Sequence, residues 1–164
     1  GWARFLVRFA EGLRAVPAAN CHVTLAFLGD REPAEVPEIA AALADAAGPA
    51  AGLPSPRLSL GAPVWLPRRR PRALALEVHD DRGELAALQG ELADGLRRTI
   101  GWRAGRPFRP HLTVARTGRG FDPSGLRLPV SPALEFEPEA ITLYSSTLRP
   151  DGARYEALER VEPA

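Results

Sequence analysis

A four-residue pattern occurs twice in this chain and restricts what it can fold into. The copies are His22-Val23-Thr24-Leu25 and, 89 positions later, His111-Leu112-Thr113-Val114. In extended backbone, residues i and i+2 share a face. His22 and Thr24 therefore point one way, and Val23 and Leu25 point the other, into a core. The second copy repeats this division. If the halves of the fold face each other, two imidazoles and two hydroxyls converge on one cleft. Imidazole changes charge near neutral pH, so one ring can donate a proton at a phosphate while the other removes one.

At 164 residues the chain is long enough for one domain, or for two small lobes sharing a core. Its formal net charge of +1 gives no global field to draw in nucleic acid. All 21 basic residues are Arg. Genome bias explains the total, and only position argues for phosphate binding by guanidinium forks. The single cysteine excludes an internal disulfide and says nothing against a reducing cytoplasm, the expected location. No apolar run is long enough to span a membrane.

Trp2, Phe5, Leu6, Phe9 and Leu13 have helical spacing, although Phe5, Val7 and Phe9 also alternate as in a strand. Asn20 to Leu28 reads as a strand carrying the first motif. Pro33 to Ala47 reads as a helix with Val36, Ile39, Ala40 and Leu43 on one face. Arg57 to Leu66 is extended but broken by Pro63, and Pro67 to Pro71 is a basic turn. Ala73 to Val78 is a strand, and Gly83 to Ile100 a helix with Leu85, Leu88, Leu92 and Leu96 inward. His111 to Arg116 is the second motif strand. Thr117 to Pro132 is a long Gly/Pro/Arg loop, a class that is often functional or mobile. Leu134 to Phe136, Ala140 to Leu148 and Ala153 to Val161 close the chain as strands, with Pro150-Asp151-Gly152 as a hairpin turn. Helix followed by an HxT strand thus occurs twice. The second copy has a strand before its helix and the first does not, so a first strand is expected to be missing from the chain.

These residues resemble the 2H phosphoesterase superfamily, and within it the RNA 2′,3′-cyclic phosphodiesterase (2′-5′ RNA ligase-like) branch. The resemblance rests on Asn20-Cys21-His22-Val23-Thr24-Leu25-Ala26-Phe27-Leu28-Gly29 and on Pro107-Phe108-Arg109-Pro110-His111-Leu112-Thr113-Val114-Ala115-Arg116. Ile141 to Ser146, followed by Gly152 to Glu156, extends it to the tail. It implies an α+β fold: a single bilobal domain over 1–164, with two pseudo-symmetric antiparallel sheet lobes, flanking helices and a cleft carrying both motifs. It implies hydrolysis of an RNA 2′,3′-cyclic phosphate end to a 2′-phosphate, with no metal and no other cofactor. The expected partner is RNA with that terminus, and the expected state is a monomer. The resemblance also assigns His22 as acid and His111 as base, an order that the near-symmetry of the motifs leaves open. Two rivals remain: 2′-5′ ligation of such an end to a 5′-hydroxyl, and an RNA-end-binding module without chemistry.

Thr24 and Thr113 lie on the histidine face, where their hydroxyls can donate to a pentacoordinate phosphorus. Arg116 stands where the family places a phosphate-binding Arg. Its offset of five from His111 would put it on the opposite strand face unless the strand bends. Phe27, at the same offset after His22, is a base-stacking candidate or plain core, with core favoured. Arg109, Arg119 and the cluster from Arg68 to Arg72 can hold RNA backbone, but solvated surface is the favoured reading, and His79 also reads as surface. Cys21 is expected to face the core, away from His22. No CxxC or HxxxH spacing points to zinc.

Overall fold

A computed structural model describes residues 12–48, 52–149 and 152–162. Seven strands and two α-helices are present among them: β1 (Leu13–Ala15), α1 (Val36–Ala47), β2 (Leu58–Leu66), β3 (Ala73–His79), α2 (Glu84–Ile100), β4 (His111–Thr117), β5 (Glu135–Phe136), β6 (Ile141–Arg149) and β7 (Gly152–Val161). The strands form a five-stranded sheet in the order β1-β4-β3-β2-β5 and a separate β6-β7 pair. The fold is α+β, as expected.

Two compact units emerge, each assembled from three chain segments. The first holds the residues up to Thr24, Leu58–His79 and Arg109–Glu135; the second holds Leu25–Arg57, Asp80–Phe108 and Phe136–Ala164. Both HxT motifs fall in the first unit.

The core of the first unit is one face of its sheet. Leu13, Leu74, Leu76, Val114 and Ala115 are buried together, with Trp65, Leu112, Phe121, Leu126 and Leu128 packed on them. Burying a Leu side chain contributes about 1.5–3 kcal/mol, so this layer anchors the strands that carry the motifs. The long stretch after β4 has no regular element, yet Phe121, Leu126 and Leu128 make it the cover of that core. Pro63 does not break β2. It pairs with Leu76 beside a register irregularity between Leu60 and Pro63, the kind of place where a strand tolerates proline.

In the second unit, α1 and α2 pack together through Ile39, Ala42, Leu43, Ala46 and Ala47 and through Leu85, Leu88, Leu92 and Leu96. The buried stripe of α1 thus lies nearer its C-terminus than expected, leaving Val36 and Ala40 half-buried. A Cβ at Gly95 would stand 3.3 Å from that of Ala42, so glycine permits the close approach of the helices. Asp80 caps α2, its carboxylate accepting from the N–H groups of Leu85 and Ala86.

Two expected elements differ. The proposed first helix lies mostly outside the described residues, but Leu13, assigned to its end, is in β1 and in the core. Asn20 to Leu28 is not a continuous strand: Asn20 ends a 3-10 turn (Ala18–Asn20), and only Val23 pairs with another strand. Side chains take the later carbonyls instead. Gln89 donates to Leu25, Trp102 Nε1 to Phe27 and Arg31 Nε to Leu28.

Candidate active site

The two motifs meet at one backbone contact. Val23 and Leu112 form an isolated antiparallel bridge. In this register His22 stands opposite Thr113, and Thr24 opposite His111. Leu112 packs on the core side, so the alternation of extended chain turns both histidines and both threonines to the other face. The chain reaches this position by a detour. Val16 still bonds to the Val114 carbonyl at 2.9 Å, and residues 17–22 then loop out before Val23 rejoins β4.

Each imidazole is held in the same way. His22 Nδ1 lies 2.8 Å from the Asn20 carbonyl oxygen, and His111 Nδ1 lies 2.8 Å from that of Arg109. A carbonyl only accepts, so Nδ1 carries the proton in both rings, and Nε2 is the nitrogen that can exchange a proton with a substrate. Both rings are half-buried, as is Thr113, while Thr24 is exposed.

The support for His111 extends to β3. Glu77 is its direct cross-strand partner, and the Glu77 carboxylate accepts a charge-assisted hydrogen bond from Arg109. Arg109 is exposed, as expected of a surface arginine, and its side chain is held by this ion pair. Neither residue of this ion pair stood out in the sequence as a pair, because 32 residues separate them.

The Arg116 offset is resolved by a bulge. Ala75 pairs with Thr113 but Leu74 pairs with Ala115, so β4 carries one extra residue there. Val114 and Ala115 are consecutive, and both are buried in the same core. The bulge resets the alternation, and Arg116 emerges exposed on the face of His111 and Thr113.

Other candidates lie elsewhere. Phe27 belongs to the second unit, and its ring is 80% exposed, which corrects the preference for core. The surrounding backbone explains this: the Phe27 carbonyl is anchored by buried Trp102 at 3.0 Å, while the ring is left outside. Cys21 is half-buried, with its thiol donating to the Pro17 carbonyl, and burial pushes its pKa up. Arg119 and Arg68 to Arg70 are exposed, as is His79, the last residue of β3. Among the described residues no group of three or more His, Cys, Asp or Glu could hold a metal ion. No helix among them is long and apolar enough to cross a membrane.

An α+β fold of antiparallel strands that bridges two HxT motifs defines a two-histidine phosphoesterase. The chain belongs to the 2′-5′ RNA ligase superfamily, whose sequence profile matches residues 4–148. It is 31% identical to the RNA 2′,3′-cyclic phosphodiesterase of Thermus thermophilus, over 96% of this chain and 79% of that protein. Its structure is similar to that of TT0787, also from Thermus thermophilus, with a TM-score of 0.80 and 30% identity over 98% of this chain and 87% of the other. It is also similar to E. coli LigT complexed with 3′-AMP, with a TM-score of 0.72 and 25% identity over 93% of this chain and 82% of the other.

Proposed function

We propose that this protein hydrolyses the 2′,3′-cyclic phosphate at the end of an RNA, leaving a 2′-phosphate. The observation that carries the reading is the antiparallel Val23–Leu112 bridge, which turns two identically tethered imidazoles to one face of one sheet. The Thermus thermophilus relative supports the substrate class.

In this mechanism water attacks phosphorus, a P–O bond forms to the water oxygen, and the P–O3′ bond breaks. His111 Nε2 takes the proton of the attacking water, and His22 Nε2 protonates the departing 3′ oxygen. Thr24 and Thr113 donate hydrogen bonds to the non-bridging oxygens, where negative charge grows in the transition state. Arg116 offsets that charge with its guanidinium. Phe27, in the second unit, has an exposed ring of the kind that stacks on a base. Both proton transfers are met by imidazole, so the mechanism calls on no cofactor and no metal. All of these groups come from one chain, which fits action as a monomer. A cytoplasmic location fits the lone thiol.

The superfamily description favours one second reading: a 5′-hydroxyl takes the place of water, and the product is a 2′-5′ bond. Incubating the protein, in excess EDTA, with a short RNA ending in a 2′,3′-cyclic phosphate tests both. A 2′-phosphate product supports hydrolysis. A longer RNA formed from added 5′-hydroxyl RNA supports ligation. A 3′-phosphate product would contradict the assignment of the 3′ oxygen as leaving group.

A further inference from the structure

Arg14 stands directly opposite Arg116 in the β1–β4 ladder. Residues so placed have Cβ atoms about 4.5–5.5 Å apart on one face, and like charges there are destabilising. Both side chains are exposed, and among the described residues no ion pair engages either. The carboxylate on this face of β3, Glu77, stands at the far end of the strand and is taken by Arg109.

The charge at the site exceeds what the reacting group needs. A cyclic phosphodiester carries one negative charge, which Arg116 and a protonated His22 already meet. The Arg14 charge is left for another anion on the same face, beyond the rows formed by Thr24 with His111 and by His22 with Thr113. An RNA end supplies one: the next phosphodiester along the strand. We infer that Arg14 binds the internucleotide phosphate immediately 5′ of the terminal nucleotide, so that the protein reads a polynucleotide end rather than a nucleoside cyclic phosphate alone. This rests on the cyclic phosphodiesterase reading above.

The test compares a nucleoside 2′,3′-cyclic phosphate with a dinucleotide bearing the same terminus. Arg14→Ala should lower kcat/KM for the dinucleotide about tenfold or more, the loss of one charged hydrogen bond, and leave the mononucleotide unchanged. Arg116→Ala should lower both. A methylphosphonate at the internucleotide position should remove the wild-type preference for the dinucleotide and make Arg14→Ala silent. Removing one of two opposed like charges should leave the thermal midpoint of Arg14→Ala no lower than that of wild type, which separates binding from folding. Binding of the 2′-phosphate dinucleotide, followed by fluorescence anisotropy, reads the same contact without turnover. Its log–log salt slope should be shallower by about 0.7 in the variant. Failure of wild type to turn over either substrate would count against the phosphodiesterase reading, while the binding arm still decides on Arg14. Equal handling and equal binding of the dinucleotide by wild type and Arg14→Ala would overturn the inference. So would equal loss on both substrates, which would place Arg14 at the reacting phosphate.

Discussion

Val23 and Leu112 pair antiparallel, and this one bridge sets each motif's histidine opposite the other's threonine. The contact gives the site a local two-fold relationship. The two rings also share a tether, each Nδ1 bonded at 2.8 Å to the carbonyl two residues earlier. In the proposed mechanism acid and base would be distinguished by charge state and by what surrounds them: Glu77 and Arg109 beside His111, and the looped segment of residues 17–22 leading to His22.

The pH dependence follows from that division of labour. The base must be neutral and the acid protonated, so kcat/KM should be bell-shaped. Loss of the base removes the limb on which activity rises with pH, and loss of the acid removes the limb on which it falls. With His111 as base, the residual activity of His111→Ala should lose its acid limb, and that of His22→Ala its alkaline limb. The reverse pattern would exchange the roles.

Glu77 is expected to act on His111 through Arg109. Glu77→Gln keeps the shape but removes the charge that holds Arg109, whose carbonyl orients the His111 ring. Small misplacements of a catalytic group are costly, and kcat should fall about tenfold. KM should change less than twofold, and the thermal midpoint little. Steady-state kinetics beside a melting curve checks this; a change confined to KM would assign Glu77 to binding instead.

Cys21 is adjacent to His22 in sequence, but its thiol donates to the Pro17 carbonyl, and it is expected to take no part in hydrolysis. Burial raises its thiol pKa, so at any given pH below that value less thiolate is present than for an exposed cysteine. Alkylation by iodoacetamide at pH 8 should be slower than for free cysteine, and Cys21→Ala should retain hydrolysis. Rapid labelling together with inactivation would contradict this.

The fold depends on the layer beneath the site. Leu74 is fully buried between strands and packs with Val114 and Ala115 on the core side of the bulge. Leu74→Ala should destabilise the protein by about 2–5 kcal/mol, measured by urea unfolding. A cost under about 1 kcal/mol would mean that this layer does not hold the motif strands.

Local pattern carried much of the architecture. The strand–helix–strand run of β3, α2 and β4 is legible because Leu85, Leu88, Leu92 and Leu96 keep helical spacing and the flanking strands alternate. The motifs themselves placed His22, Thr24, His111 and Thr113 on one face. What escaped depends on partners distant in sequence. The backbone after Thr24 reads as a strand from its own residues, yet Gln89 and Trp102 take its carbonyls. The β4 bulge has no signature beyond two consecutive buried residues, Val114 and Ala115. Nothing in the local sequence marks Arg14, because its counterpart, Arg116, is remote in the chain and Leu13 beside it fits a helical spacing.

The central claim is that His22 and His111 work as one proton-transferring pair. It is tested most directly by single-turnover hydrolysis of an RNA ending in a 2′,3′-cyclic phosphate, in EDTA, by wild type, His22→Ala, His111→Ala and the double variant. Each single substitution should slow the chemical step by about 10²–10⁴-fold, with little change in RNA binding. The double variant should be hardly slower than the singles, because groups acting as a unit are strongly non-additive. Hydrolysis at wild-type rate in either single variant would contradict the account.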